Sequence, residues 1–154
     1  MRGYYVPVVA GAALIASTFL PWVSVGDETL RGIPSVPALW IAGLGAIAVV
    51  LAALSLITRK NSRHPLLVVG LVALGIMILS WRVLPVSVRD RALSVSQAQA
   101  IVDGTDVAPT PEALIGAGIY LGIVASAAIT LFGLTIVVKR VATPYAVASA
   151  DDDV

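Results

Sequence analysis

Cysteine is absent from this chain of 154 residues, and histidine occurs once. Without cysteine there are no disulfide bonds, thiol nucleophiles or cysteine metal sites, which excludes the four-helix membrane oxidoreductases that work through thiols. Haem-binding four-helix cytochromes need pairs of axial histidines within the membrane, so a lone histidine excludes them as well. That residue, His64, follows Arg63 in a basic turn, and we interpret it as a solvated loop residue.

Charge is also scarce. Charged residues make up 12% of the chain and hydrophobic residues 58%, with a mean hydropathy of +0.97. Soluble domains carry about a quarter charged residues. A helix that crosses a bilayer needs about 20 consecutive apolar residues. The charge-free runs that meet or approach this length cover residues 3–26, 32–58, 65–81 and 113–138.

No Asp, Glu, Lys, Arg or His lies inside these runs. Such residues are costly in a membrane and usually serve function, so pumps, proton-coupled antiporters and carriers of charged substrates normally contain one. The small multidrug transporters have a similar size and helix number, but they depend on a glutamate in the first helix. Residues 3–26 contain none, which excludes that class.

The apolar runs predict an all-α integral membrane protein, a bundle of four transmembrane helices in one domain of residues 1–154. We place the spans at about residues 4–25, 36–57, 65–84 and 112–138, with an outer loop at 85–111 and a tail at 139–154. Ser35 as a cap, with Pro37 just inside the helix, marks the start of the second helix. In the outer loop, Ser94 or Ser96 as a cap and Gly104 as a stop predict a short interfacial helix.

The distribution of Lys and Arg predicts the orientation, because cytoplasmic loops carry an excess of these residues. One side receives six of them: Arg2, Arg59, Lys60, Arg63, Lys139 and Arg140. The other side receives four: Arg31, Arg82, Arg89 and Arg91. We therefore expect both termini in the cytoplasm and the helices in a bacterial inner membrane.

Tryptophan and arginine are expected to anchor the opposite side. Trp22, Trp40 and Trp81 all fall at span ends there, as is typical of the aromatic belt of membrane proteins. Arg82 has two interpretations. It either anchors the end of the third span beside Trp81, or it binds an anionic headgroup or an acid of the outer loop. We favour the anchor.

Small residues recur along the second and fourth spans, and such residues let helices approach closely in a membrane. The predicted packing residues are Gly118, Gly122, Ser126 and Thr130 in the fourth span, and Ala42, Gly45 and Ala46 in the second. Because both spans offer a small face, we expect them to pack against each other.

Residues 19–25, Phe-Leu-Pro-Trp-Val-Ser-Val, close the first span. This segment and the span layout resemble a loose group of small bacterial four-helix membrane proteins with Pro-Trp at the outer end of the first helix. Most of these have no assigned function, so the resemblance implies a fold and no site. The layout also resembles the claudins in outline, but their paired cysteines and Gly-Leu-Trp motif are missing.

These observations favour a non-catalytic accessory or scaffold subunit of a larger inner-membrane assembly, acting through helix packing. The expected partners are the bilayer and other membrane subunits or a second copy, with no nucleic acid, cofactor or metal. The alternative is a carrier or channel component for an uncharged or lipid-like substrate. That alternative needs a mid-membrane cavity lined by hydroxyls, and hydroxyls bonded to backbone carbonyls would argue against it. The hydroxyls concerned belong to Ser17, Thr18, Ser126 and Thr130.

Overall fold

The computed structural model describes residues 4–26, 28–58, 63–106, 109 and 112–141. Along the chain these residues form α1 (Tyr5–Ser17), β1 (Pro21–Val25), β2 (Glu28–Arg31), α2 (Val36–Thr58), α3 (Arg63–Asp103), β3 (Ala113–Ile115) and α4 (Ala117–Val141). The helices α2, α3 and α4 are long and apolar enough to cross a membrane. The prediction of a mostly helical chain with long apolar helices is confirmed. Most of the predicted tail at 139–154 lies outside the described residues.

The first helix is shorter than its apolar run predicts. α1 has 13 residues and ends at Ser17, whereas the predicted span continued to residue 25. Pro21 explains the difference, because proline lacks a backbone donor and keeps the preceding residue out of the helical conformation. Beyond it, Val23 and Val25 are β-branched and favour an extended strand. Residues 21–25 therefore form β1 and not the last turns of a helix.

β1 is the central strand of a three-stranded sheet with the order β2-β1-β3, which the sequence analysis missed. It joins β2 through a tight hairpin in which Gly26 has a φ of 57°, a left-handed conformation that glycine adopts without strain. On its other edge β1 pairs with β3. The Gly116 N–H then donates to the Trp22 carbonyl at 2.8 Å, so α4 begins at Ala117 and not at residue 112. The sheet thus ties the end of α1 to the start of α4.

α2 lies close to its predicted bounds, from Val36 to Thr58. The Ser35 carbonyl accepts the Leu39 N–H at 3.1 Å, which begins the helix, and Pro37 lies in the first turn as predicted. The predicted cap by the Ser35 side chain is wrong. Within the described residues its buried hydroxyl oxygen has no hydrogen-bond partner.

α3 is one continuous helix of 41 residues with Pro85 inside it. At a rise of about 1.5 Å per residue, this helix is about 60 Å long. The hydrocarbon layer of a bilayer is about 30 Å thick, so α3 extends far beyond a single span. The predicted span at 65–84 followed by a separate interfacial helix is therefore wrong.

Two local features explain the extension and its end. The Ser94 hydroxyl donates to the Asp90 carbonyl at 2.9 Å, a bond made inside a helix and not at a cap. Gly104 does end the helix as predicted, with a φ of 65°. The Thr105 N–H donates to the Ala100 carbonyl at 3.1 Å, as in a Schellman motif.

The helices form a ring in which α4 packs mainly on α3 and α1, and α2 packs on α1 and α3. The expected pairing of the second and fourth spans is therefore wrong, because these helices lie across the ring from each other. Leu14, Ile41, Met77, Ile119 and Ile129 fill the core and have no solvent exposure. We call the end of the bundle that carries the strands the sheet end. The strands and residues 84–103 of α3 together form the headpiece.

Candidate functional site

The small residues at the start of α4 contact α1, the sheet and α3 of the same chain. A Cβ atom added to Gly118 would lie 2.6 Å from Trp22 Cδ1 and 2.7 Å from the Ser17 carbonyl oxygen. At Gly122 the nearest neighbour is the flexible end of the Met77 side chain, followed by Ser17 Oγ at 3.2 Å. The backbone of α4 approaches α1, the sheet and α3 closely here because Gly118 and Gly122 have no side chain.

The same face continues toward the other end of α4. Ser126 and Thr130 are both buried, and a Cβ atom added to Gly70 of α3 would lie 2.7 Å from the Thr130 backbone nitrogen. One turn further, Gly133 meets the Leu67 backbone in the same way, with a distance of 2.6 Å to its Cα atom. Gly70 and Gly133 were not predicted from the sequence. A step of three after Thr130 would have found Gly133, because a helical face alternates steps of three and four.

The four hydroxyls that the carrier hypothesis requires all bond to backbone carbonyls of α1 or α4. Ser17 donates to Leu14 at 2.6 Å, Thr18 to Ile15 at 2.7 Å, Ser126 to Ile123 at 3.0 Å and Thr130 to Ser126 at 2.9 Å. All four residues are buried. They belong to the packed core and give no support to a polar route through the middle of the bundle.

α1 and α2 cross where Gly11 meets Gly45. A Cβ atom at either glycine would lie 2.9 Å from the carbonyl oxygen of the other. Ala42 and Ala46, predicted to share this role, do not: Ala42 is half-buried and Ala46 is exposed. The buried face of α2 comprises Ala38, Ile41, Gly45, Ala48, Ala52 and Ser55. A helix has 3.6 residues per turn, so positions four residues apart do not stay on one line along it. Ala42 and Ala46 therefore lie to the side of the interface.

The three tryptophans have different environments. Trp22 is 2% exposed, and its indole N–H donates to the Ser17 carbonyl at 2.9 Å. Its predicted role as an exposed interfacial anchor is therefore wrong. Trp40 is 65% exposed and Trp81 is 38% exposed, which suits contact with lipid headgroups.

Arg82 is exposed and lies beside Trp81, with its guanidinium carbon 5.9 Å from the ring centroid. This distance is within the range of a cation–π contact. The pair lies inside α3 and not at the end of a helix, because α3 continues to Asp103.

The headpiece contains a groove of about 770 Å³ between the sheet and α3. Its floor includes Trp22 and Val23, which are buried, and its rim includes Leu30, which is 45% exposed. The facing wall is one side of α3, formed by Leu84, Ser87, Val88, Arg91, Ala92, Val95, Ser96 and Gln99. Ligand pockets in proteins commonly have volumes of about 300–1,000 Å³ and mostly apolar walls with a few polar groups.

Among the residues that the structure describes, the charged groups that line this groove are Arg31, Arg91 and Glu28, all exposed. Arg31 ends β2 and Arg91 lies on α3, so the two guanidinium groups belong to opposite walls. This site was not predicted from the sequence, because a new helix was expected at Ser94 or Ser96 and no sheet was expected. The signal was present: Leu84, Val88 and Val95 keep a spacing that is typical of one helical face.

No known protein family, curated protein or solved structure matches this chain. Among the described residues, no group of three or more His, Cys, Asp and Glu side chains is arranged to hold a metal ion. The groove and the packed helix faces are therefore the features on which a functional proposal depends.

Proposed function

We propose that this protein is a non-catalytic membrane protein that binds a lipid-like ligand in the groove of its headpiece. The observation that carries this proposal is the groove itself, an open cavity of about 770 Å³ with mostly apolar walls. The bundle serves as the scaffold that fixes the two walls, since β1 continues from α1 and the second wall is part of α3.

The proposal includes a topology. Four helices cross a bacterial inner membrane, both termini and the basic turn at 59–63 face the cytoplasm, and the sheet end faces the opposite side. α1 is short at 13 residues, but it packs on α2 and α4 and so lies in the same apolar layer. The excess of Lys and Arg near the termini and the turn supports this direction.

The small residues that motivated the accessory-subunit hypothesis already contact other parts of the same chain. Gly118, Gly122 and Gly45 all approach backbone or side-chain atoms of the same chain too closely for a second protein to use them. The channel form of the alternative is also unsupported, because its hydroxyls bond to helix carbonyls. The proposed ligand is lipid-like, as in that alternative, but its site lies at the sheet end and not in the middle of the bundle.

Trp22 allows a direct test, because it lines the groove and is one of only three tryptophans. In a Trp40→Phe/Trp81→Phe background it is the only tryptophan and reports on the groove alone. We expect a phospholipid with brominated acyl chains, added to the protein in detergent micelles, to quench its fluorescence in a saturable way. An unbrominated lipid should reverse the quenching by competition.

Two matched variants in that background make the test specific. Ala92→Phe fills the groove and should abolish saturable quenching, whereas Ala98→Phe changes an exposed alanine of the same helix outside the groove and should not. Quenching that rises linearly with lipid and is equal in both variants would refute the proposal.

A further inference from the structure

We infer that the groove selects a phospholipid with an anionic headgroup, and that Arg31 and Arg91 bind its phosphate. This inference rests on the proposed function, since it identifies the ligand of the same groove. Three properties of the headpiece carry it: the placement of the two arginines, the separation of Glu28 from Arg31, and the apolar surface between Arg91 and the membrane.

The arginines lie on opposite walls, Arg31 at the end of β2 and Arg91 on α3. A guanidinium group is always charged, and its planar fork of N–H donors matches two phosphate oxygens at once. Two such groups that face one cavity from opposite walls suit a single anion held between them.

Glu28 also lines the groove, but it lies at the opposite end of β2 from Arg31. Three residue steps along a strand cover about 10 Å, so its carboxylate is attached well away from Arg31. Glu28 borders the hairpin at the tip of the sheet, whereas Arg31 precedes the turn that returns to the bundle. Glu28 therefore does not lie beside Arg31, and the described lining of the groove carries two positive charges and one negative charge.

The apolar walls indicate how the rest of the lipid lies. Leu84 and Val88 precede Arg91 on the same side of α3, and Trp22 faces them from the sheet. Leu84 lies two residues beyond Arg82, which together with Trp81 marks the interface in the proposed topology. An acyl chain that extends from a phosphate at Arg91 along these residues leads back to the bilayer. A membrane phospholipid suits this continuous path better than a soluble anion, which would need only the arginines.

Native mass spectrometry of the full chain can measure the selectivity. The protein is equilibrated in micelles with equal amounts of phosphatidylglycerol, which is anionic, and phosphatidylcholine, which is zwitterionic. We expect a one-to-one complex in which phosphatidylglycerol predominates. The Arg31→Gln/Arg91→Gln variant should lower this preference by about tenfold or more, since each basic residue contributes about 1 kcal/mol to anionic-lipid binding.

Two further variants serve as controls. Arg89→Gln removes a positive charge from the same helix outside the groove and should keep the preference. Arg31→Lys/Arg91→Lys keeps the charge, so a retained preference there shows that a loss in the glutamine variant reflects charge and not misfolding.

Three results would overturn the inference. These are equal retention of both lipids, a preference that survives in the glutamine variant, and displacement of phosphatidylglycerol by an equal concentration of a free fatty acid. Equal binding of the two phospholipids would leave the proposed function intact, whereas binding of neither would overturn that function as well.

Discussion

Two glycines of α3 lie five residues apart in opposite surroundings. A Cβ atom added to Gly70 would lie 2.6 Å from Thr130 Oγ1 and 2.7 Å from the Thr130 backbone nitrogen. A Cβ atom added to Gly75 would have no neighbour within 4 Å. The contact at Gly70 involves backbone of α4, which cannot move aside as a flexible side chain can. Identical substitutions at the two sites therefore isolate the effect of helix approach.

We expect Gly70→Ala to destabilise the protein by about 1–3 kcal/mol, the usual cost of overpacking a core. Gly75→Ala should stabilise it by up to about 1 kcal/mol, because alanine is the better helix former where space is free. Unfolding by sodium dodecyl sulfate in mixed micelles measures both changes. Equal effects of the two substitutions would show that α3 and α4 do not approach at Gly70.

Residue type alone revealed part of this pattern. Glycine and serine at four-residue spacing predicted a face of α4 for close contacts, and Gly118 and Gly122 make such contacts within the chain. Its neighbours were not predictable, because they depend on the order of helices around the ring. Trp22 shows the same limit, since a tryptophan at the end of an apolar run is equally typical of the interface and of a core.

The long third helix is the element on which the groove depends, because α3 supplies one whole wall of it. The natural chain has no cysteine, so cysteines introduced for spin labels give clean attachment sites. Arg82→Cys and Gln97→Cys place labels at exposed positions 15 residues apart in α3. A continuous helix predicts a backbone separation of about 22 Å between them.

Double electron–electron resonance measures this separation. A single narrow distribution near the helical value is expected, with a small shortening from the bend that Pro85 introduces. A much shorter or very broad distribution would show that the helix ends near residue 84 and that a loop separates it from a short second helix, as predicted from the sequence.

The pairing of β1 with β3 places Ser24 opposite Leu114. Opposed residues on antiparallel strands have Cα atoms about 4.5–5.5 Å apart, a separation that a disulfide can bridge. Ser24→Cys/Leu114→Cys should therefore form a disulfide rapidly under mild oxidation, as seen by a shift in gel mobility after proteolysis. Ser24→Cys/Ile115→Cys is one residue out of register, with its side chains on opposite faces, and should react far more slowly. Equal rates in the two variants would contradict the sheet register.

Elements bounded by strong local signals were predicted, and those defined by tertiary pairing were not. α2 has a proline in its first turn and a polar stretch of sequence after it, and it runs from Val36 to Thr58, close to the predicted bounds. β3 consists of three residues, too few for any periodic pattern, and it exists because β1 is available to pair with it. Pro85 favours a helix end, but the residues on both sides of it belong to one helix, α3, which tolerates the proline.

At the scale of the whole molecule, the chain combines a tightly packed bundle with an open headpiece. Close glycine contacts fix α1 against α2 and α4 against α1 and α3. The groove instead remains open, with Val95 55% exposed and Leu30 45% exposed on facing walls. This contrast is the basis for placing function in the headpiece. Composition predicted the membrane bundle, but it could not predict a groove made by segments about 60 residues apart in sequence.

The central claim is that a phospholipid occupies this groove in the membrane itself, and photo-crosslinking tests it most directly. A diazirine amino acid replaces Val88, which lines the groove, or its neighbour Arg89, which does not. After irradiation of intact membranes, mass spectrometry of the purified protein identifies the attached molecule. We predict a phospholipid adduct in high yield at position 88 and in much lower yield at position 89. Equal yields at the two positions, or a crosslinked polypeptide at position 88, would contradict the account.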